Sequence, residues 1–88
     1  ALAAGLVGEV CADEQLIGSV SELAARLATG PTFAFAQTKK LIRQGADRSL
    51  AQQLAAELAA GLLCGRSADG AEALRAVSEK RPPRFQGL

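Results

Sequence analysis

Apolar residues recur along most of the chain at the three- and four-residue spacing of an amphipathic helix. The apolar positions of the first such stretch are Leu16, Ile17, Val20, Leu23, Ala24 and Leu27. We expect this first helix to begin near Asp13, whose carboxylate can accept unpaired backbone N–H groups. It should end at Gly30-Pro31, because glycine accommodates a left-handed residue and proline cannot continue the hydrogen-bond ladder.

A second helix is predicted from Pro31 to about Gln44, with Gly45 closing it. Pro31 suits the first helical turn, where the N–H that proline lacks is not needed. One face of this helix carries Ala34, Phe35, Thr38, Leu41 and Ile42. The other face carries Gln37, Lys39, Lys40 and Arg43.

The third helix has the clearest start signal. Ser49 and Gln52 have the spacing of a capping box, in which each side chain bonds the backbone N–H of the other residue. Leucine then recurs every fourth residue, at positions Leu50, Leu54, Leu58 and Leu62. Gly65 is the natural stop after Cys64.

A second capping box, from Asp69 to Glu72, is predicted to open a fourth helix, which should end before Pro82-Pro83. The run from Gly5 to Val10 suits a short extended segment, since it is glycine-punctuated and β-branched. No stretch shows the alternating pattern of a half-buried sheet. The pattern therefore predicts one all-α domain over residues 1–88, made of about four amphipathic helices.

Composition narrows the class of protein. Hydrophobic residues make up 49% of the 88 residues, charged residues 22%, and the formal net charge is +1. These values exclude a disordered tail and argue against a nucleic-acid binder, and no apolar run is long enough to cross a membrane. Because alanine buries little apolar area, the core should be thin, and we expect a second copy or a further domain to complete the burial.

Few residues are suited to chemistry. The chain contains no histidine, so its serines lack the usual general base, and two cysteines are too few for a structural zinc site. The glycines form neither of the two common phosphate-binding signatures, the Walker loop and the GxGxxG turn after a strand. We therefore predict no catalytic residue and no metal site. Cys11 and Cys64 are interpreted as reduced, buried residues of a cytoplasmic protein, although a disulfide between them is possible.

Two basic groups have two possible roles. The first comprises Lys39, Lys40 and Arg43, and the second comprises Lys80, Arg81 and Arg84. Cations near a helix C-terminus interact favourably with the helix dipole, so both groups could serve only capping and solubility. Alternatively, they bind a phosphate or another anion. Spacing alone does not choose between these roles.

Several short motifs follow one another along the chain. They are Ala4-Gly5-Leu6-Val7, Leu27-Ala28-Thr29-Gly30-Pro31, a leucine-rich helix with Glu57, Asp69-Gly70-Ala71-Glu72, Glu79-Lys80-Arg81-Pro82 and Phe85. This order resembles the C-terminal end of proteins of the enoyl-CoA hydratase/isomerase (crotonase) family. The motifs span essentially the whole chain.

The resemblance implies an enzyme of fatty acid metabolism that acts on acyl-CoA thioesters, with coenzyme A as part of the substrate and no separate cofactor. In the family, an upstream core of ββα repeats holds the oxyanion-hole amides and the catalytic glutamates. The helical region packs subunits into trimers and closes over the CoA site. By this resemblance, Lys80 is the first candidate for a CoA phosphate contact and Lys39 is the second.

The chain also departs from the family pattern. Val77 stands where members often have phenylalanine, and Gly61 and Leu62 stand where aromatics are common, so an aromatic lid is not expected. The start at Ala1, without methionine or a signal peptide, suggests a piece of a longer polypeptide that lacks the catalytic core. The alternative hypothesis is a free-standing helical module that binds a partner protein and has no catalytic role.

Overall fold

The computed structural model describes all 88 residues and contains four α-helices and no β-strand. Helix α1 spans Leu16–Ala28, α2 Thr32–Gly45, α3 Leu50–Gly65 and α4 Ala68–Ser78, and a 3₁₀ turn at Asp13–Gln15 precedes α1. The predicted all-α class is therefore confirmed. None of the helices combines the length and the apolar character needed to span a bilayer.

The start of the chain and the entry to α1 differ from the prediction. Residues 1–12 form turns and irregular backbone, with no extended pairing over the run from Gly5 to Val10. Ala12 caps the 3₁₀ turn without any side-chain hydrogen bond, so Asp13 is not the cap. The chain instead enters the helix through the backbone, where the Gln15 N–H donates to the Ala12 carbonyl at 2.9 Å.

Gly30 lies between α1 and α2 for a different reason from the one predicted. Its backbone is not left-handed, because the positive φ angles of the glycines are those of Gly5 and Gly87. A Cβ atom at Gly30 would lie 2.7 Å from Cε2 of Phe35, so the glycine allows a close approach of this ring. The adjacent Pro31 occupies the N-cap of α2, one residue before the helical turn in which we predicted it.

Helix α3 begins as predicted but turns its leucines outward. The Ser49 N–H donates to Gln52 Oε1 at 2.9 Å, and the Gln52 N–H donates to Ser49 Oγ at 3.2 Å. The half-buried residues of α3 are Gln53, Ala56, Ala60 and Cys64. The four leucines of the repeat are each between 53% and 74% exposed. The half-buried face of α3 is thus the one with the small residues Ala56, Ala60 and Cys64, and the leucine face is open.

The predicted capping box at the start of α4 is wrong. The N-cap is Ser67, whose Oγ accepts the Gly70 N–H at 3.0 Å and donates to the Cys64 carbonyl at 2.7 Å. A serine hydroxyl can do both, which joins the start of α4 to the end of α3. Asp69 and Glu72 lie inside the helix, where their carboxylates bind other partners.

Helix α4 ends in a Schellman motif. The Lys80 N–H donates to the Val77 carbonyl at 3.2 Å, and the Arg81 N–H donates to the Ala76 carbonyl at 3.0 Å. Lys80 occupies the left-handed position with φ +52°, a conformation that usually belongs to glycine. The helix therefore ends at Ser78 through this motif, before the chain reaches Pro82-Pro83.

The four helices form a flat, open assembly. The most extensive contacts join α2 with α3 and α3 with α4, while α1 mainly contacts the 3₁₀ turn before it. The radius of gyration is 16.5 Å and the extents are 42 × 39 × 19 Å, whereas a compact domain of this length has a radius of about 12 Å. The accessible surface is 7054 Å², against about 4,900 Å² for a compact protein of this mass.

Little of the chain is buried. Ala76, 2% exposed, and Asp69, 5% exposed, are the only buried residues. The large apolar side chains of α1 are all exposed, namely Leu16, Ile17, Val20, Leu23 and Leu27. The core is as thin as the alanine-rich composition predicts.

Candidate functional site

The C-terminal tail, residues 82–88, is held against α4 by the buried carboxylate of Asp69. Asp69 Oδ1 accepts the Gln86 N–H at 2.7 Å and Oδ2 accepts the Gly87 N–H at 2.9 Å. The Asp69 N–H in turn donates to the Leu88 carbonyl at 2.9 Å. Both oxygens of a nearly inaccessible carboxylate are thus satisfied by backbone donors, which is the condition for burying such a charge.

Gly87 and Phe85 connect the same tail to other helices. Gly87 is left-handed with φ +77°, and a Cβ atom there would lie 2.5 Å from Oγ1 of Thr32, at the start of α2. Phe85 is half-buried and lines a small apolar depression with Pro31, Cys64 and Ala73. The tail therefore contacts the start of α2, the end of α3 and one face of α4.

Glu72 forms a second anchor, one turn further along α4. Its Oε1 and Oε2 accept hydrogen bonds from Nη1 and Nη2 of Arg81 at 2.6 and 3.1 Å, and Oε1 also accepts the Arg84 N–H at 2.9 Å. The hydrogen bonds from Arg81 and from the Arg84 backbone lower the pKa of Glu72 from 4.5 to about 2. The side chain of Glu72 is only 15% exposed.

Arg81 also contacts the residue two positions before it. Its Nε donates to Glu79 Oε2 at 2.5 Å and its Nη1 donates to the Pro82 carbonyl at 3.1 Å. The hydrogen bonds to Glu72, and then to Glu79, raise the pKa of Arg81. Of the second basic group, Arg81 is thus engaged inside the chain and is not available to an external anion.

Lys80 remains available. Its side chain is exposed and makes no hydrogen bond or ion pair, although it lies between Glu79 and Arg81 in sequence. The Arg84 guanidinium is likewise unpaired, and Arg84 lines an open polar depression with Glu72, Arg81 and Gln86. The end of α4 and its exit thus carry two cationic groups without a partner in the chain, and such groups are available to an anion.

Lys39 lies in a different place. It lines a shallow apolar depression on α2 together with Phe35, Thr38, Ile42 and Arg43, and its side chain makes no ion pair. Lys39 and Arg43 are one turn apart on the same helix face. None of the depressions described here contains both Lys39 and Lys80, so the structure gives two separate basic positions.

The two cysteines are free and half-buried. Cys64 belongs to the small face of α3 and lines depressions shared with Ala34 of α2. Its backbone carbonyl accepts the Ser67 hydroxyl, which couples it to the cap of α4. Cys64 therefore behaves as a small packing residue, but both cysteines are half-buried, whereas we predicted that they are buried.

Sequence reasoning missed the two acidic anchors of the tail. Asp69 and Glu72 were interpreted as capping residues, because they precede an apolar run with the spacing of a capping box. The available signal was that residues three apart lie on one face of a helix. Two acidic residues on one helix face, followed by a glycine-containing tail, could have indicated that this face binds the tail.

Comparison with known proteins identifies the family. The family model for enoyl-CoA hydratase/isomerase matches residues 1–88, the whole chain, so this chain belongs to that family. The chain is 41% identical over 83 residues to a probable enoyl-CoA hydratase from Rhodobacter capsulatus, and 39% identical over 83 residues to a 1,2-epoxyphenylacetyl-CoA isomerase from Escherichia coli. These matches cover 94% of this chain and 32% of each relative.

A solved structure shares the fold. The crystal structure of an enoyl-CoA hydratase from Geobacillus kaustophilus superposes with a TM-score of 0.90 at 32% identity. The match covers 99% of this chain and 33% of that protein. The chain therefore spans about a third of the length of the relatives that it matches, and the helical arrangement described above corresponds to one third of a crotonase-like fold.

Proposed function

We propose that this chain is the C-terminal helical region of an enzyme acting on acyl-CoA thioesters, in which it contributes to subunit assembly and to the rim of the CoA site. The names of the relatives support the substrate class, because both describe enzymes of CoA thioesters. The order of the motifs supports the C-terminal position. The gene product that contains this segment is called the complete enzyme below.

The exposed apolar faces support the proposed role in subunit assembly. The face of α1 and the leucine face of α3 have no covering element in the chain, and the accessible surface exceeds that of a compact protein by roughly 2,000 Å². Burial of apolar area contributes about 25 cal/mol per Å². Exposed apolar faces on a chain with this excess of surface favour a lasting contact with the remaining part of the enzyme or with another subunit.

The role at the CoA site is carried by Lys80. The phosphates of coenzyme A need cationic donors that are not already paired, and Lys80 meets this condition whereas Arg81 does not. Lys39, beside an apolar depression, is the second candidate for such a contact. Its position on α2 suits a part of the ligand different from the one bound by Lys80.

The proposal that the catalytic groups lie outside these 88 residues can be tested by measuring activity. The purified 88-residue chain should not hydrate crotonyl-CoA, because the proposed catalytic glutamates and oxyanion-hole amides belong to the other two thirds of the complete enzyme. The complete enzyme should turn over an acyl-CoA substrate. Hydration by the 88-residue chain alone would contradict the proposal.

The CoA contact can be tested by replacing single charges in the complete enzyme. Lys80→Met should weaken coenzyme A binding about tenfold, the effect of one lost hydrogen bond to a charged group, while leaving the oligomeric state unchanged. Lys40→Met removes an equal charge from a lysine to which we assign no ligand and is the matched control. Equal affinities of the two variants would mean that Lys80 is a solvent-exposed residue with no part in CoA binding.

A further inference from the structure

The arrangement around Lys80 contains more than a free lysine. Five charged groups meet at the exit from α4: Glu79, Lys80, Arg81 and Arg84 lie there, and Glu72 reaches them through hydrogen bonds to Arg81 and the Arg84 N–H. Three are cations and two are carboxylates, so the group carries one positive charge in excess. How the carboxylates are paired determines which cation stays available for a ligand.

Arg81 takes both carboxylates. It donates two hydrogen bonds to Glu72 and one to Glu79, and a fourth goes to the Pro82 carbonyl. The planar guanidinium suits this multiple contact, and its charge does not titrate. Glu79, the immediate neighbour of Lys80, is thereby occupied by a different cation.

The backbone of Lys80 supports the same conclusion. A left-handed conformation at φ +52° is disfavoured for any residue with a side chain, and glycine would adopt it freely. The lysine side chain makes no hydrogen bond or ion pair within the chain that would offset this disadvantage. Its charge is therefore available to an external anion.

We propose that Arg81 is a positioning residue for Lys80: by occupying the carboxylates of Glu72 and Glu79, it keeps the Lys80 ammonium unpaired for the phosphate groups of the CoA ligand. This inference rests on the proposed role of Lys80. It adds that an arginine with no ligand contact of its own sets the affinity. Without Arg81, Glu79, which directly precedes Lys80 in sequence, is left without a partner and can pair with it, whereas Glu72 still accepts the Arg84 N–H.

The test is a rescue experiment in the complete enzyme, with coenzyme A binding measured by calorimetry. Arg81→Gln should weaken binding about tenfold, the same loss as Lys80→Met. The double variant Arg81→Gln/Glu79→Gln should recover affinity to within about threefold of the original protein, because the competing carboxylate is gone. A purely structural role of Arg81 would not be rescued by removing a second polar contact.

Two controls keep the outcome decisive. Pantetheine lacks the nucleotide phosphates, so its binding should be the same in all variants. If Arg81→Gln does not fold, Arg81→Lys keeps the positive charge but lacks the planar fork that holds both carboxylates, so it should also weaken binding, and Glu79→Gln should restore the affinity. Unchanged affinity in Arg81→Gln or Arg81→Lys, or absence of rescue by Glu79→Gln, would overturn the positioning role. An unchanged affinity in Lys80→Met would overturn the proposed CoA contact itself, and the inference with it.

Discussion

The Asp69 carboxylate holds the backbone of Gly87, eighteen residues further along the chain, through an N–H···O hydrogen bond of 2.9 Å. With the matching bond to Gln86, it fixes the C-terminal tail over the first turn of α4. The tail in turn leads back to Arg81 and Lys80. Asp69 thus helps to position the segment that follows Lys80, the residue proposed to contact CoA.

The first prediction concerns the anchor itself. Asp69→Asn replaces one acceptor oxygen by an NH₂ group that faces a backbone N–H, which should cost about 2 kcal/mol of tail docking. Hydrogen exchange of the Gln86 and Gly87 amides should accelerate about thirtyfold. Asp47→Asn, in the connection between α2 and α3, is the matched control and should leave these rates unchanged. Equal exchange rates in the two variants would show that the tail is held by other contacts.

The second prediction concerns pH. Since the folded pKa of Glu72 is about 2, below its ordinary 4.5, the ionised form is the one bound by Arg81 and the Arg84 N–H, with Arg75 also nearby. The stability it contributes is complete above about pH 4.5 and is lost as pH falls towards 2. Carbon-13 NMR of the Glu72 carboxyl should show a titration midpoint near 2.

A variant checks the origin of this effect. Glu72→Gln should remove the contribution of Glu72 to the pH dependence of tail docking in that window, because the amide does not titrate there. Protection of the Arg84 amide against exchange should then be weaker at neutral pH. A Glu72 midpoint near the ordinary 4.5 would mean that the pair with Arg81 does not persist in solution.

The third prediction separates backbone strain from a contact. Gly87→Ala introduces a Cβ atom 2.5 Å from Thr32 Oγ1 at a residue with φ +77°, so it should release the tail from the start of α2. Gly5→Ala has a similar φ of +72° but open space around it, and should show only the backbone effect of about 1 kcal/mol. Comparable losses of Phe85 burial in the two variants, measured by NMR contacts of the ring, would contradict the docked position of Gly87.

The fourth prediction separates the two properties of Lys80. Lys80→Gly relieves the left-handed conformation and should raise the unfolding free energy of the complete enzyme by about 1 kcal/mol, while coenzyme A binding falls. Lys80→Met keeps the disfavoured backbone and should only lose affinity. If Lys80→Gly destabilises the protein instead, the Schellman motif is not the conformation at the end of α4.

Local signals predicted most of the helical structure. The bounds of α2 and the capping box of Ser49 and Gln52 could be predicted because their partners lie within four residues. The cap of α4 could not be predicted in the same way. Asp69 and Glu72 have a capping spacing, but they bind the tail. Their shared helix face indicates a binding surface but does not identify the distant segment that binds there.

Glycine and leucine illustrate the same limit. The sequence predicts a left-handed Gly30, but in the structure this glycine allows the close approach of the Phe35 ring. A sequence pattern does not distinguish between these two reasons for a glycine. The leucine repeat of α3 predicts an apolar face correctly, but periodicity cannot say whether that face meets the rest of the chain or another body. Here the small face, with Ala60 and Cys64, is the one that packs.

The exposed apolar faces of α1 and α3 provide the most direct test of the central claim that these helices are completed by other protein. Sedimentation equilibrium of the purified 88-residue chain should give a weight-average mass that rises above 9.0 kDa as concentration increases. Substituting Leu54 and Leu58 by glutamine should reduce this association. A mass that stays at 9.0 kDa at all concentrations, together with cooperative unfolding of the monomer, would contradict the claim.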